Sequence, residues 1–96
     1  MQSSMRRRIA SRFGEVKVHV KFYAQLRDIA RVQADDVDLT DRATVSDLLQ
    51  KIYGKFPALR AHEKSILVGA GVEFVDRSYK LKSGEEISIM PPVQGG

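Results

Sequence analysis

The stretch VKVHVKF, residues 16–22, alternates apolar and polar side chains without a break. Val16, Val18, Val20 and Phe22 fall on one face, and Lys17, His19 and Lys21 on the other. A two-residue period of this kind predicts a β-strand with one face buried and one in water. The chain after it, YAQLRDIARV, carries helix formers with Leu26, Ile29 and Ala30 at helical spacing, which predicts a short helical connection. Asp36 and Asp38 then alternate with Val37 and Leu39, the pattern of a second, acid-rich strand.

Further along, the period changes to that of a helix. Thr44 stands as N-cap, with Asp47 three positions on to complete a capping box. Val45, Leu48, Leu49, Ile52 and Tyr53 form one apolar stripe, with Asp47 and Lys51 spaced to pair on the outside. Gly54 and Pro57 are expected to stop this helix. SILVGAGVEFV, residues 65–75, contains two apolar runs around Ala70–Gly71 and predicts strand, turn and strand. A turn region through Arg77, a short segment at Leu81 and a turn at Ser83–Gly84 lead to a last strand, EEISIM. Ile87 and Ile89 face inward there, and Pro91 and Pro92, which cannot donate ladder hydrogen bonds, end it.

This order of elements predicts an α+β fold, a mixed sheet covering one face of a single main helix. The first and last strands alternate most cleanly and are expected side by side in the sheet centre. The organisation is then a basic extension over 1–15, one domain over 16–90 and a tail over 91–96. A length of 96 residues supports a single modest core without metal or disulfide.

Composition excludes several function classes. The absence of cysteine removes thiolate catalysis, a Cys-ligated zinc and a disulfide framework. The net charge of +4 lies wholly in residues 1–14, where Arg6, Arg7, Arg8 and Arg12 meet no acid. From Glu15 onward, 12 basic residues balance 12 acidic ones, which argues against a nucleic-acid surface on the domain. The basic extension has the composition of a transit peptide but is short, and a solvated or loosely docked segment is expected. No apolar stretch approaches the length of a spanning helix, so no membrane partner is expected, and the cytoplasm is the expected location.

Conventional active-site parts are sparse. His19 on the polar strand face and His62 in RAHEK have no partner at metal-ligand spacing. The run Asp35, Asp36, Asp38, Asp41 lacks the glycine and glutamate of a calcium loop, and VGAGVEF is neither a dinucleotide nor a phosphate loop. No metal and no bound cofactor are expected.

There remains MPPVQGG, residues 90–96. Pro-Pro favours an extended, semi-rigid backbone that projects the residues beyond it. Gly95 and Gly96, without Cβ atoms, can thread a narrow channel and bring backbone close to a nucleotide. Adenylation would turn the Gly96 carboxylate into a mixed anhydride, and a sulfur nucleophile could displace the nucleotide to leave a thiocarboxylate.

VKVHVKFYAQLRDIA, TVSDLLQKI, ILVGAGVEFV and LKSGEEISIMPPVQGG together resemble the small sulfur-carrier subunit of molybdopterin synthase, the MoaD branch of the ubiquitin-like sulfur carriers. The resemblance covers about Val16 to Gly96, and PPV-x-GG is its most specific part. It implies a ubiquitin-like β-grasp fold with four to five strands. It implies that a ubiquitin-activating-like adenylyltransferase uses ATP on Gly96, that a sulfur donor protein supplies sulfur, and that the large synthase subunit receives it. The small subunit itself is then no enzyme. Pro91, Pro92, Val93 and Gln94 would line the partner channel ahead of Gly95 and Gly96. Tyr23, Arg27, Ile89 and Met90 match positions expected at the partner interface, although core packing explains Tyr23 and Ile89 equally well. Two features depart from the family. The Gly71–Val72 hairpin replaces a turn that often contains Asn, leaving its type open, and the arginine-rich extension is additional.

Three further readings stand beside this one. A protein modifier would join Gly96 to target lysines, and a carrier could serve another pathway such as thiamine synthesis or tRNA thiolation. A plain interaction domain would instead bind acidic partners or nucleic acid through residues 1–14.

Overall fold

The computed structural model describes residues 15–92. The elements are β1 (Glu15–Phe22), α1 (Ala24–Ala30), β2 (Ala34–Thr40), α2 (Val45–Lys55), a 3-10 segment (Pro57–His62), β3 (Leu67–Ala70), β4 (Glu73–Val75) and β5 (Glu86–Met90). They form an α+β fold in which five strands make one mixed sheet in the order β2-β1-β5-β3-β4.

Register makes the buried face continuous. β1 pairs antiparallel with β2, setting Val16 opposite Leu39 and Val18 opposite Val37. β5 lies parallel on the other side of β1, with Val20 opposite Ile87 and Phe22 opposite Ile89. β3 runs antiparallel to β5 and sets Val68 opposite Ile89. Side chains opposite one another share a face, so all of these contribute to one apolar layer. A parallel neighbour needs a crossover, and here nearly the whole domain forms it. The expected central pairing of first and last strands is present.

α2 covers that layer with Val45, Leu48, Leu49, Ile52 and Tyr53, all buried. Leu26 of α1, Leu59 of the 3-10 segment, Ile66 and Leu81 fill the margins of the same core. Phe22 meets Phe56 edge to face, with ring centroids 5.5 Å apart, a favoured aromatic geometry. The capping box is complete. Asp47 N–H donates to the Thr44 hydroxyl at 3.3 Å, and Thr44 N–H donates to the Asp47 carboxylate at 2.9 Å.

Three local expectations need correction. Gly54 does not stop α2, which continues through it to Lys55. The break falls at Phe56 (φ −129°, ψ 76°), because the residue before a proline is pushed out of helical conformation. Pro57 then opens a 3-10 segment, an element that the sequence reading did not include. Lys51 does not pair with Asp47, whose carboxylate serves the cap; its ammonium donates to the Asp38 carbonyl at 2.8 Å. Lys55 likewise reaches Asp35. Both lysines therefore cover the free edge of β2, a common protection against unwanted strand pairing.

The Gly71–Val72 turn also resolves. Ala70 and Glu73 are paired, so the loop has two residues, and only Gly71 has positive φ (+63°). Positive φ at the first position alone is the II′ pattern, which suits the sheet twist and leaves Val72 unstrained.

Candidate functional site at the end of the central strand

The strand that leads into PPVQGG occupies the best-supported place in the sheet. β5 lies between β1 and β3, with Ile89 opposite both Phe22 and Val68 and Met90 opposite Leu67. Ile87 and Ile89 are completely buried. Beyond Met90 the chain emerges, with Pro91 half-buried and Pro92 exposed. Val93, Gln94, Gly95 and Gly96, the core of the expected tail, lie outside the described residues, as does the 1–14 part of the basic extension.

The four expected interface positions separate by exposure. The Ile89 side chain is wholly buried, so it belongs to the core and cannot meet a partner at the surface. That corrects the interface assignment and favours the packing alternative. Tyr23 is 42% exposed. Its N–H donates to the Ile89 carbonyl at 3.1 Å, and its own carbonyl accepts from Leu26 N–H at the start of α1. Since Tyr23 is extended (φ −122°, ψ 151°) and comes after the buried Phe22, it turns to the outer face of the sheet. Met90, one position beyond buried Ile89, alternates to the same face and is half-buried. Arg27 is exposed on α1.

Two apolar side chains escaped the sequence reading. Val72 is fully exposed and Phe74 is 68% exposed. Phe74 stands opposite Gly69, which in turn stands opposite Ser88, a row of small neighbours that leaves the ring uncovered. A Cβ on Gly69 would come within 3.3 Å of Met90 Cε, a tight contact that the end of the flexible Met90 side chain would have to ease by a few tenths of an ångström. Val72, Phe74, Ser88 and Met90 line a shallow concavity of about 140 Å³. The signal was present in G-V-E-F, where Val72 and Phe74 are two apart. Alternation reveals a shared face but cannot say which face the core takes.

The outer face is thus divided. On its β2-β1-β5 side lie exposed pairs, Lys17 with Asp38 at 3.9 Å, His19 with Asp36 at 2.7 Å and Lys21 with Glu86 at 3.0 Å. The hydrogen bond and charge of Glu86 hold the Lys21 ammonium above its ordinary pKa. Exposed pairs of this kind add little stability, and they make this half of the face polar. On the β5-β3-β4 side the face is apolar and adjoins the tail exit. Among the described residues, no group of three His, Cys, Asp or Glu is placed to hold a metal ion, and no helix is long and apolar enough to cross a membrane.

A mixed sheet wrapped on one helix, with its first and last strands parallel at the centre, defines a ubiquitin-like β-grasp protein. The chain belongs to the ThiS family, whose profile matches residues 20–96. It is 33% identical over 84 residues to a Drosophila yakuba protein named molybdopterin synthase sulfur carrier subunit, a match spanning 84% of this chain and 92% of that protein. Among solved structures it resembles a Pyrococcus furiosus protein described as molybdopterin converting factor subunit 1. The TM-score is 0.75 and the identity 26%, over 81% of this chain and 99% of that one. It also resembles the Haloferax volcanii protein SAMP1, with TM-score 0.72 and 28% identity over 83% and 99% of the two chains.

Proposed function

We propose that this chain is the sulfur-carrier subunit of a molybdopterin synthase and that its chemistry takes place at Gly96. The observation that carries the reading is the attachment of PPVQGG to β5, the central strand of a domain in which no group of three His, Cys, Asp or Glu among the described residues is placed to hold a metal ion. The name of the Drosophila relative supports the same reading. A carboxylate is a poor acyl donor until activated. An adenylyltransferase would let a Gly96 carboxylate oxygen attack the α-phosphorus of ATP, releasing pyrophosphate. A donor protein's persulfide sulfur would then attack the acyl carbon with loss of AMP, and a thiol would cleave the resulting acyl disulfide, leaving the thiocarboxylate and oxidising the donor sulfur and that thiol to a disulfide. This thiocarboxylate would deliver sulfur to the pterin precursor held by the large subunit. ATP is a substrate of the activating enzyme, and the carrier itself needs no cofactor. A cysteine-free chain working with ATP-dependent enzymes fits a cytoplasmic setting.

The body would serve as handle and recognition surface. Tyr23, Val72, Phe74 and Met90 supply the exposed apolar area beside the tail, of the kind that marks protein interfaces. A rigid exit matters because reaction requires the acyl carbon to be held in register with the partner's active site.

Incubation with a proven activating enzyme, ATP and a sulfur source should exchange one oxygen for sulfur, read by intact mass. An unchanged mass would sink the carrier reading. Deleting Gly96 should abolish the exchange without moving the thermal midpoint. Phe74→Ser should retain the fold and weaken binding to the large subunit by about tenfold, as for a buried aromatic anchor. The likeness to SAMP1, whose fuller description is small archaeal modifier protein 1, favours a second reading in which Gly96 is joined to lysines. High-mass conjugates in cells, lost on deleting Gly96, would establish that role.

A further inference from the structure

The two edges of the five-stranded sheet differ. At β2, the Lys51 ammonium donates to the Asp38 carbonyl at 2.8 Å and Lys55 reaches Asp35, so side chains occupy that edge. At the other end stands β4, with β3 as its only strand neighbour. Among the described residues no side chain hydrogen-bonds to the main chain of Glu73, Phe74 or Val75.

Register fixes which main-chain groups lie along that open edge. Gly71 N–H donates to the Glu86 carbonyl next to β3 at 3.2 Å. Successive residues of a strand point their main-chain groups to opposite sides. Gly69 therefore also bonds toward β5, while Val68 and Ala70 bond toward β4. Their partners Val75 and Glu73 spend their N–H and C=O on β3. Phe74 lies between those two, opposite Gly69, and turns its own N–H and C=O outward. A free donor and acceptor on one residue are half of an antiparallel hydrogen-bonded pair, which an added strand completes.

The side chains say what that strand must carry. The Phe74 ring is 68% exposed on the outer face, where the concavity runs on to Met90. Glu73 and Val75 alternate to the helical face. Val75 packs against the core, while Glu73 is exposed and pairs with no cation among the described residues. A second copy fits this edge poorly. Two β4 strands paired antiparallel about Phe74 would set each Glu73 against the other copy's apolar Val75, and each Val72 against Asp76. Both contacts place a carboxylate on hydrocarbon, which is unfavourable.

We propose that the free edge of β4 takes an extended segment of a partner protein as a sixth, antiparallel strand of the sheet. Its residue opposite Phe74 is apolar and packs beside the ring, and its residue opposite Glu73 is basic. Aromatic with β-branched side chains, and opposite charges, are the favourable cross-strand pairs. Strand addition here is independent of the chemistry proposed for Gly96.

The acetylated and amidated peptide Thr-Val-Ile-Lys-Val-Thr serves as probe, since antiparallel pairing sets its isoleucine opposite Phe74 and its lysine opposite Glu73. Titrating the full chain to several millimolar peptide should give saturable amide shifts at Glu73, Phe74 and Val75. In the free chain the Phe74 amide should exchange rapidly with solvent, unlike those of Glu73 and Val75, and it should lose that rapid exchange in the complex. Methylating the isoleucine nitrogen removes the donor to the Phe74 carbonyl and should abolish saturation. Glu73→Lys should weaken binding about threefold, the size of an exposed ion pair, and a peptide with glutamate in place of lysine should recover it. Shifts that never saturate would overturn the proposal, as would equal binding of the methylated peptide. Unchanged affinity of Glu73→Lys would overturn the basic residue. Shifts at these amides that depend on chain concentration alone would put a second copy on the edge and overturn the proposed partner.

Discussion

Arg31 closes α1 in the left-handed region, φ +67°, with its N–H donating to the Arg27 carbonyl at 2.8 Å. A side chain there clashes with its own backbone, whereas glycine does not. Arg31→Gly should therefore stabilise the domain by about 0.5–1 kcal/mol. For a domain of this size that is a rise in thermal midpoint of several degrees, about 4–8 °C per kcal/mol. A fall in the midpoint would mean that the arginine side chain makes a contribution larger than the strain. Ala24 is strained in the same sense, φ +53°, immediately after Tyr23. Single residues were unevenly legible. The cap pair Thr44 and Asp47 could be read because its bonds are local. Ile89 is the instructive conflict: alternation pointed it inward, family resemblance pointed it outward, and complete burial decides for the core. Tyr53 looked like one more member of an apolar stripe, since a sequence cannot reveal that its buried hydroxyl lacks a partner among the described residues.

Among the elements, α2 depends most on local chemistry. Its box satisfies two backbone donors that would otherwise face solvent at the helix start. Thr44→Ala should cost about 1 kcal/mol, within the usual 0.5–2 kcal/mol for a lost cap. Urea unfolding would read this as a lower midpoint at unchanged slope. Element types were legible wherever a period of two or of helical spacing ran for a whole element, as in β1 and α2. The 3-10 segment was not, because six residues with one buried side chain, Leu59, carry no period. The end of α2 was misplaced by one cause. Gly54 only weakens a helix, while Pro57 excludes helical geometry from the residue before it. Lys51 shows a related limit. Spacing offered Asp47 as its partner, but the strand edge beside it supplied a carbonyl instead.

At the scale of the molecule, one layer of side chains anchors the strand that leads to Pro91 and Pro92. Ile87 and Ile89 on β5 touch the core from the sheet centre, and β5 also sets the direction in which Met90 and Pro91 leave. Ile87→Ala should cost about 2–5 kcal/mol, as for other buried large-to-small changes. That is a large share of the roughly 5–15 kcal/mol that stabilises an ordinary domain. The expected outcome is a markedly lower denaturation midpoint together with slower sulfur loading, because the exit strand is no longer held. Normal loading in a variant shown to be that unstable would argue that the tail acts independently of its anchorage.

By itself the sequence determined which longer segments are strands and helices and which side of β1, β5 and α2 is apolar, and it offers PPVQGG as the candidate for chemistry on which the proposed function rests. These depend on neighbours a few positions apart, whose periodicity and turn chemistry are written along the chain. Only the tertiary structure decided that β1 and β5 meet in parallel at the centre and that Val72 and Phe74 face outward beside Met90. Each of these brings together residues distant along the chain. Alternation shows that two side chains share a face, while only the packing of the whole sheet settles whether that face meets the core or the solvent.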